Sequence, residues 1–190
     1  MQGRKIDSTL NETGRAQAEA LASRVRSVAF DAIYTSTLRR ARETAAIVAR
    51  DHPATPVRAL EDLEEMSWGV YEGRRPDEGV YRAYDLWSVG DFDHAVPGGE
   101  SILDVQRRAL RAIDAILRAQ EGGTVLVVTH GRFLRVLLAT LLEEFGLERM
   151  NEIEHTNTGF NHLAHVGGRF EAMLLNCTAH LESDGAFVCN

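Results

Sequence analysis

The chain is 190 residues long, 44% hydrophobic and 26% charged, which suits one globular domain with a substantial core. Its 28 acidic and 21 basic side chains leave a net charge of −7, which argues against a general nucleic-acid or anionic-membrane partner. No segment approaches the length of a membrane-spanning helix, the N-terminus has no signal-peptide core, and Cys177 and Cys189 make no disulfide framework, so the expectation is a cytoplasmic protein with reduced thiols.

The polar start, Met1 to Ser8, precedes a first helix with Asn11 as N-cap and Glu12 in its first turn; Ala18, Leu21, Val25 and Val28 give it one apolar stripe. A short strand at Asp31–Tyr34 leads through Thr35-Ser36-Thr37 into a second helix, with Leu38, Ala41, Ala45 and Val48 turned inward. Arg39, Arg40 and Arg42 fall in the first turn of that helix, where the macrodipole disfavours cations. They form either a solvated basic face or an arginine held at the strand edge to fork a phosphate or carboxylate; the unfavourable placement points to function for one of them.

Val57–Leu60 reads as another short strand, followed by Glu61, Asp62, Glu64 and Glu65 in a loop running through Trp68-Gly69 to Glu72-Gly73. Four acids so close either form a solvated loop or hold one carboxyl protonated as a general acid. Pro76 to Asp93, with Tyr81, Tyr84, Leu86, Trp87 and Phe92, suggests a helical excursion that closes a pocket. Ser101 with Asp104 resembles a capping box opening a long helix, whose stripe is Ile102, Val105, Ala109, Ile113 and Ile116.

Gly122-Gly123 ends that helix and leads into Thr124-Val125-Leu126-Val127-Val128, an unbroken apolar run that reads as a parallel strand buried on both faces. Thr129-His130-Gly131 breaks the run, and Phe133, Leu134, Leu137, Leu138 and Leu141 come after it at helical spacing. His130 therefore falls at the carboxyl end of a strand, where ligands bind in α/β sheets, with the amides of a helix N-terminus aimed at the same spot. By itself this histidine reads either as a strand cap or as a ligand-facing group.

Further on, a short helical stretch is expected near Leu147 to Ile153. Phe160–Val166 and Phe170–Leu175 flank Gly167-Gly168 as antiparallel edge strands. His162 and His165 point to opposite faces of a strand, which disfavours a shared metal. The tail from Glu182 to Asn190 reads as loose. The fold class is α/β, a three-layer mostly parallel sheet with helices on both faces and an antiparallel edge hairpin.

With the elements placed, the chain resembles the histidine phosphatase superfamily, also called phosphoglycerate-mutase-like. Tyr34-Thr35-Ser36-Thr37-Leu38-Arg39-Arg40-Ala41-Arg42-Glu43-Thr44-Ala45 is similar to its Ser-x-Leu-x-Arg-Ala-x-x-Thr-Ala signature, and Leu63 through Gly73 to its Leu-x-Glu-x-x-x-Gly-x-x-Glu-Gly segment. Pro97-Gly98-Gly99-Glu100-Ser101, Val127-Val128-Thr129-His130-Gly131, and Gln2-Gly3-Arg4 with Asp7, Leu10, Gly14 and Gln17-Ala18 resemble three more. The resemblance implies a nucleophilic histidine that takes a phosphoryl group, a second histidine and two arginines that grip its oxygens, and an acid that protonates the leaving oxygen. It implies Arg40 as a phosphate-binding arginine, Glu65 as the proton donor and His130 as the second histidine, with Gln2, Gly3, Trp68 and Gly131 on the substrate side. It implies no metal and no cofactor.

The family's Arg-His-Gly motif, which supplies the nucleophile and the second arginine at the end of a central strand, has no match in these residues. The expectation is therefore a single domain over residues 1–190 that is N-terminally truncated, without its first central strand and inactive as written. The short chain leaves little room for a substrate-domain insertion, which favours a phosphatase over a mutase acting on small phosphomonoesters. The alternative is a non-catalytic phosphate-ligand-binding pseudoenzyme. Partners are a small phosphorylated substrate or phosphate, with no nucleic acid and no membrane, and a homodimer is compatible with the sequence.

Overall fold

The computed structural model describes residues 1–182. Three strands, β1 (Ala32–Ser36), β2 (Val57–Leu60) and β3 (Val125–Val128), form a parallel sheet in the order β2-β1-β3. The register sets Ala32 opposite Val125 and Thr35 opposite Val128, so β1 and β3 end side by side. Helices α1 (Glu12–Val25) and α2 (Arg39–Ala49) cover one face, and α3 (Glu78–Ser88), α4 (Ile102–Ala119) and α5 (Gly131–Leu141) cover the other.

Alternation along the central strand divides the core in two. Ile33 and Leu126 join Leu21, Ala22, Val25, Ala45 and Val48 beneath α1 and α2, whereas Ala32 and Tyr34 face the larger cluster built from α3, α4 and α5. All five residues of β1 are buried, as a strand covered on both faces should be. In β3 only Leu126 is buried and Val125, Val127 and Val128 are half-buried. The expectation that β3 is buried throughout is corrected, because β3 is hydrogen-bonded to β1 alone among the described residues and its other flank is open.

Strands β4 (Phe160–Val166) and β5 (Arg169–Cys177) form the expected antiparallel hairpin, as a two-stranded sheet of their own. Their turn is as read: Gly167 and Gly168 have φ of +59° and +83°, the left-handed pair that a tight two-residue hairpin requires. The stretch after α5 forms only a 3-10 turn, Leu147–Arg149, and the segment beyond it is anchored by burial of Met150 and Ile153. Cys177 is disulfide-bonded and not a reduced thiol, and the cysteine argument for a cytoplasmic location falls with it. Cys189 and the tail beyond Glu182 lie outside the described residues.

Caps form where they were expected. Asn11 accepts the Gly14 amide at 2.8 Å, and Ser101 and Asp104 make a reciprocal capping box at the start of α4. Just before it, the Pro97–Gly99 loop packs against Gly69, whose φ is +52°. A Cβ there would lie 2.2 Å from the Pro97 carbonyl oxygen. Gly69→Ala combines a left-handed backbone with a backbone clash and should lose about 1–3 kcal/mol. Urea unfolding reads this directly, and a midpoint equal to wild type would mean the 97–99 loop yields without strain.

Candidate functional site

Because β1 and β3 end in register, the corners that succeed them meet. Ser36, the last residue of β1, lies 2.8 Å from Nε2 of His130, the residue before α5. Arg40, in the first turn of α2, donates from Nε to His130 Nδ1 at 3.2 Å. A guanidinium only donates, so Nδ1 is the accepting nitrogen and the proton sits on Nε2, directed at Ser36 Oγ. Ser36 Oγ also accepts the Leu38 amide at 3.2 Å, which ties the corner to the start of α2.

His130 is 8% exposed, and its pKa is pushed down to about 3 by burial first and then by the positive charges of Arg40 and Arg108. It is a neutral imidazole with both ring nitrogens engaged. The Arg40 guanidinium completes its bonding with the Ile6 carbonyl at 2.7 Å and the Gly3 carbonyl at 3.5 Å. Its own pKa is lowered by burial, against the opposing charges of Glu65, Asp7, Glu72 and Glu64. Of the three candidate arginines, only Arg40 turns inward; Arg39 and Arg42 are exposed.

Glu65 is 8% exposed. Its Oε1 accepts the Met66 and Phe133 amides at 2.8 and 2.9 Å, and its Oε2 accepts the Arg132 amide at 3.1 Å. The first-turn amides of α5, expected to face a bound anion, are thus taken by a carboxylate of the protein itself. Asp7 does the same at α2, accepting the Arg39 amide at 2.6 Å, which explains how a helix with three arginines at its start is tolerated. The acidic cluster is dispersed in the same way, since Glu64 accepts from Arg4 Nε at 2.6 Å and from the Thr37 hydroxyl, and Asp62 from Arg111 at 2.7 Å.

The remaining candidates divide. Gly3 is buried and its carbonyl meets Arg40, whereas Gln2 is exposed. Trp68 is 3% exposed and its ring packs against Tyr84 and Trp87, at centroid distances of 6.0 and 5.9 Å. Among the described residues no hydrogen bond joins Gln2 or Trp68 to Arg40, Glu65 or His130. Gly131 is crowded, since a Cβ on it would lie 2.8 Å from the His155 ring.

One residue behind the site was not singled out from the sequence. Arg108 is 3% exposed; it pairs with Glu100 through Nε at 2.8 Å and donates to the carbonyls of Asp62, Glu64 and Glu65 at 3.1, 2.6 and 3.1 Å. The signal was its place on the buried face of α4, with Val105, Ala109, Ala112 and Ile116 around it. A charged residue on an apolar stripe is informative.

The model of the histidine phosphatase superfamily, branch 1, matches residues 1–178. The metal-independent phosphoserine phosphatase of Arabidopsis thaliana is 35% identical over 138 residues, 70% of this chain and 58% of that protein. A Yersinia enterocolitica protein named "Probable phosphoglycerate mutase GpmB" is 37% identical over 142 residues, 72% of this chain and 64% of that protein. The chain thus spans less than two thirds of both these curated relatives. The solved structure of Bacillus stearothermophilus YhfR is 36% identical and superposes with a TM-score of 0.86, covering 96% of this chain and 91% of that one.

The buried imidazole imposes a pH dependence. His130 titrates near 3 in the fold and near 6.5 when unfolded, so below pH 6.5 the unfolded chain binds a proton that the folded chain refuses. Stability should be level above pH 6.5 as far as His130 is concerned and should fall as pH drops toward 3. Chemical unfolding of wild type and His130→Asn between pH 8 and 4 isolates this group from His155 and His180, which burial also lowers. Parallel pH profiles for the two proteins would contradict it.

Proposed function

Because the chain belongs to the histidine phosphatase superfamily, we propose that it carries a phosphomonoesterase site in which Arg40 and His130 grip the transferring phosphoryl group and Glu65 protonates the leaving oxygen. The observation that carries this reading is the 3.2 Å contact between Arg40 Nε and His130 Nδ1 at the carboxyl ends of two neighbouring parallel strands. A guanidinium and an imidazole Nε2–H side by side are donors suited to the charged oxygens of a phosphoryl group, and donors held in place before reaction need no reorganisation as charge develops.

In this reading a nucleophilic histidine from an Arg-His-Gly segment, absent from the 190 residues, forms the bond to phosphorus as the ester oxygen departs. The alkoxide takes its proton from Glu65, and water then attacks the phosphohistidine to release phosphate. Of the two Glu65 oxygens, Oε2 has the single and longer amide bond, to Arg132 at 3.1 Å, and is the one with capacity to carry that proton. His130 acts as a gripping and not an attacking group, since Nδ1 is committed to Arg40 and Nε2 presents a proton. Gln2, Gly3, Trp68 and Gly131 belong to the substrate side in this proposal, and residues 1–190 are read as one domain. Phosphate binding without turnover, the pseudoenzyme reading, is what the 190 residues would show alone.

Titration of inorganic phosphate or vanadate into wild type and Arg40→Ala tests the grip. Loss of one charge-assisted contact should weaken binding by roughly tenfold or more, and equal affinity would remove Arg40 from the site. Hydrolysis of p-nitrophenyl phosphate should be negligible for the 190 residues and restored by a version extended upstream through an Arg-His-Gly strand. In that version Glu65→Gln should slow esters with poor leaving groups by roughly a hundredfold or more. Robust turnover by the short chain that vanishes in His130→Ala would make His130 the nucleophile instead.

A further inference from the structure

The first turn of α5 carries a feature that the phosphate grip leaves unused. Arg132 lies two residues beyond His130, with its amide held by Glu65. Its guanidinium donates to Asn151 Oδ1 at 2.9 Å and to the Tyr84 hydroxyl at 2.7 Å, and it lies 4.8 Å above the Tyr84 ring. These partners are all uncharged. Arg135 comes three positions later on the same side of the helix, and its Nε is buried with no hydrogen-bond acceptor. The His155 ring packs against Gly131, where an added Cβ would lie 2.8 Å from it.

Acids outnumber bases 28 to 21 in this chain, yet neither Arg132 nor Arg135 forms an ion pair among the described residues. Two cations three apart at a helix N-terminus repel each other and the macrodipole. Burial and the Arg132 charge lower the pKa of Arg135, and burial with both arginines lowers that of His155; Glu154 and Tyr84 act on Arg135 in the opposite sense. The arrangement is electrostatically unsatisfied, and its geometry is held by the neutral groups Tyr84 and Asn151. A bound anion would relieve it.

We propose that Arg132, Arg135 and His155 form a second anion subsite that takes a carboxylate on the alcohol portion of the phosphomonoester. This rests on the Arg40–His130 pair as the phosphate site. Chain adjacency then puts the carboxylate next to Glu65, on the leaving-group side. Tyr84 of α3 closes over the same guanidinium, so the helical excursion contributes to substrate choice through Arg132.

The test is calorimetric titration of the 190-residue protein with inorganic phosphate, phosphoserine and phosphoethanolamine, the last two differing only in the carboxylate. Phosphoserine should bind tighter than phosphoethanolamine by roughly tenfold or more. That preference should disappear in Arg132→Gln and shrink in Arg135→Gln, with phosphate affinity unchanged in both and the preference intact in the remote surface variant Arg169→Gln. Equal affinity for the two esters in wild type, or a preference that survives Arg132→Gln, overturns the subsite while leaving the phosphate site standing. Failure of inorganic phosphate itself to bind overturns both.

Discussion

The structure depends on one buried guanidinium. Arg108 is held on α4 in an otherwise apolar interface, lies 4.9 Å from the centre of the Phe133 ring, and joins Glu100 to three carbonyls of the 62–65 loop. An ion pair taken out of water gains little net stability, but breaking it strands a charge and costs about 3–5 kcal/mol. Here nearly every donor on the guanidinium is used, so the loop has one position. That position presents Glu65 to the start of α5, and Glu100 extends the same network by accepting the Ser67 amide at 2.8 Å.

Around that fixed loop the helix starts are already neutralised. Asp7 takes an amide of α2, Glu65 takes two of α5, and Ser101 with Asp104 completes α4. Backbone dipoles that could have received a phosphate are therefore satisfied by the chain. In the proposed reading, an incoming anion is met by side-chain charge, Arg40 beside His130 in one place and Arg132 with Arg135 in another. Burial makes that charge effective, because the same loss of water that lowers the pKa of Arg40 strengthens its attraction for an anion.

The neutral state of His130 has the same origin. Two arginines face it and burial removes its water, so protonation would put a third cation into a closed space. Left neutral, it links the ends of β1 and β3 through Ser36 and Arg40, and strand register becomes site geometry. A dianion bound there would reverse the sign of its surroundings and raise its affinity for a proton.

The sequence by itself determined the local elements. Helix stripes, the Asn11 and Ser101 caps, the Gly167-Gly168 turn and the strand-corner-helix units arise from interactions within a few residues, and local chemistry is enough to read them. Motif positions likewise singled out Arg40, Glu65 and His130. Composition and helix position left Arg39, Arg40 and Arg42 equivalent, and the inward turn of Arg40 that the motif pointed to depends on where the end of β3 lies relative to α2. Tertiary structure alone decided that Glu65 and Asp7 occupy the helix amides, that the hairpin stands apart from the parallel sheet, and that β3 is open along one flank. Arg108 belongs to the same class. Its partners lie up to 46 residues away in sequence, and no local pattern encodes a contact whose energy appears only when α4 meets the 62–65 loop.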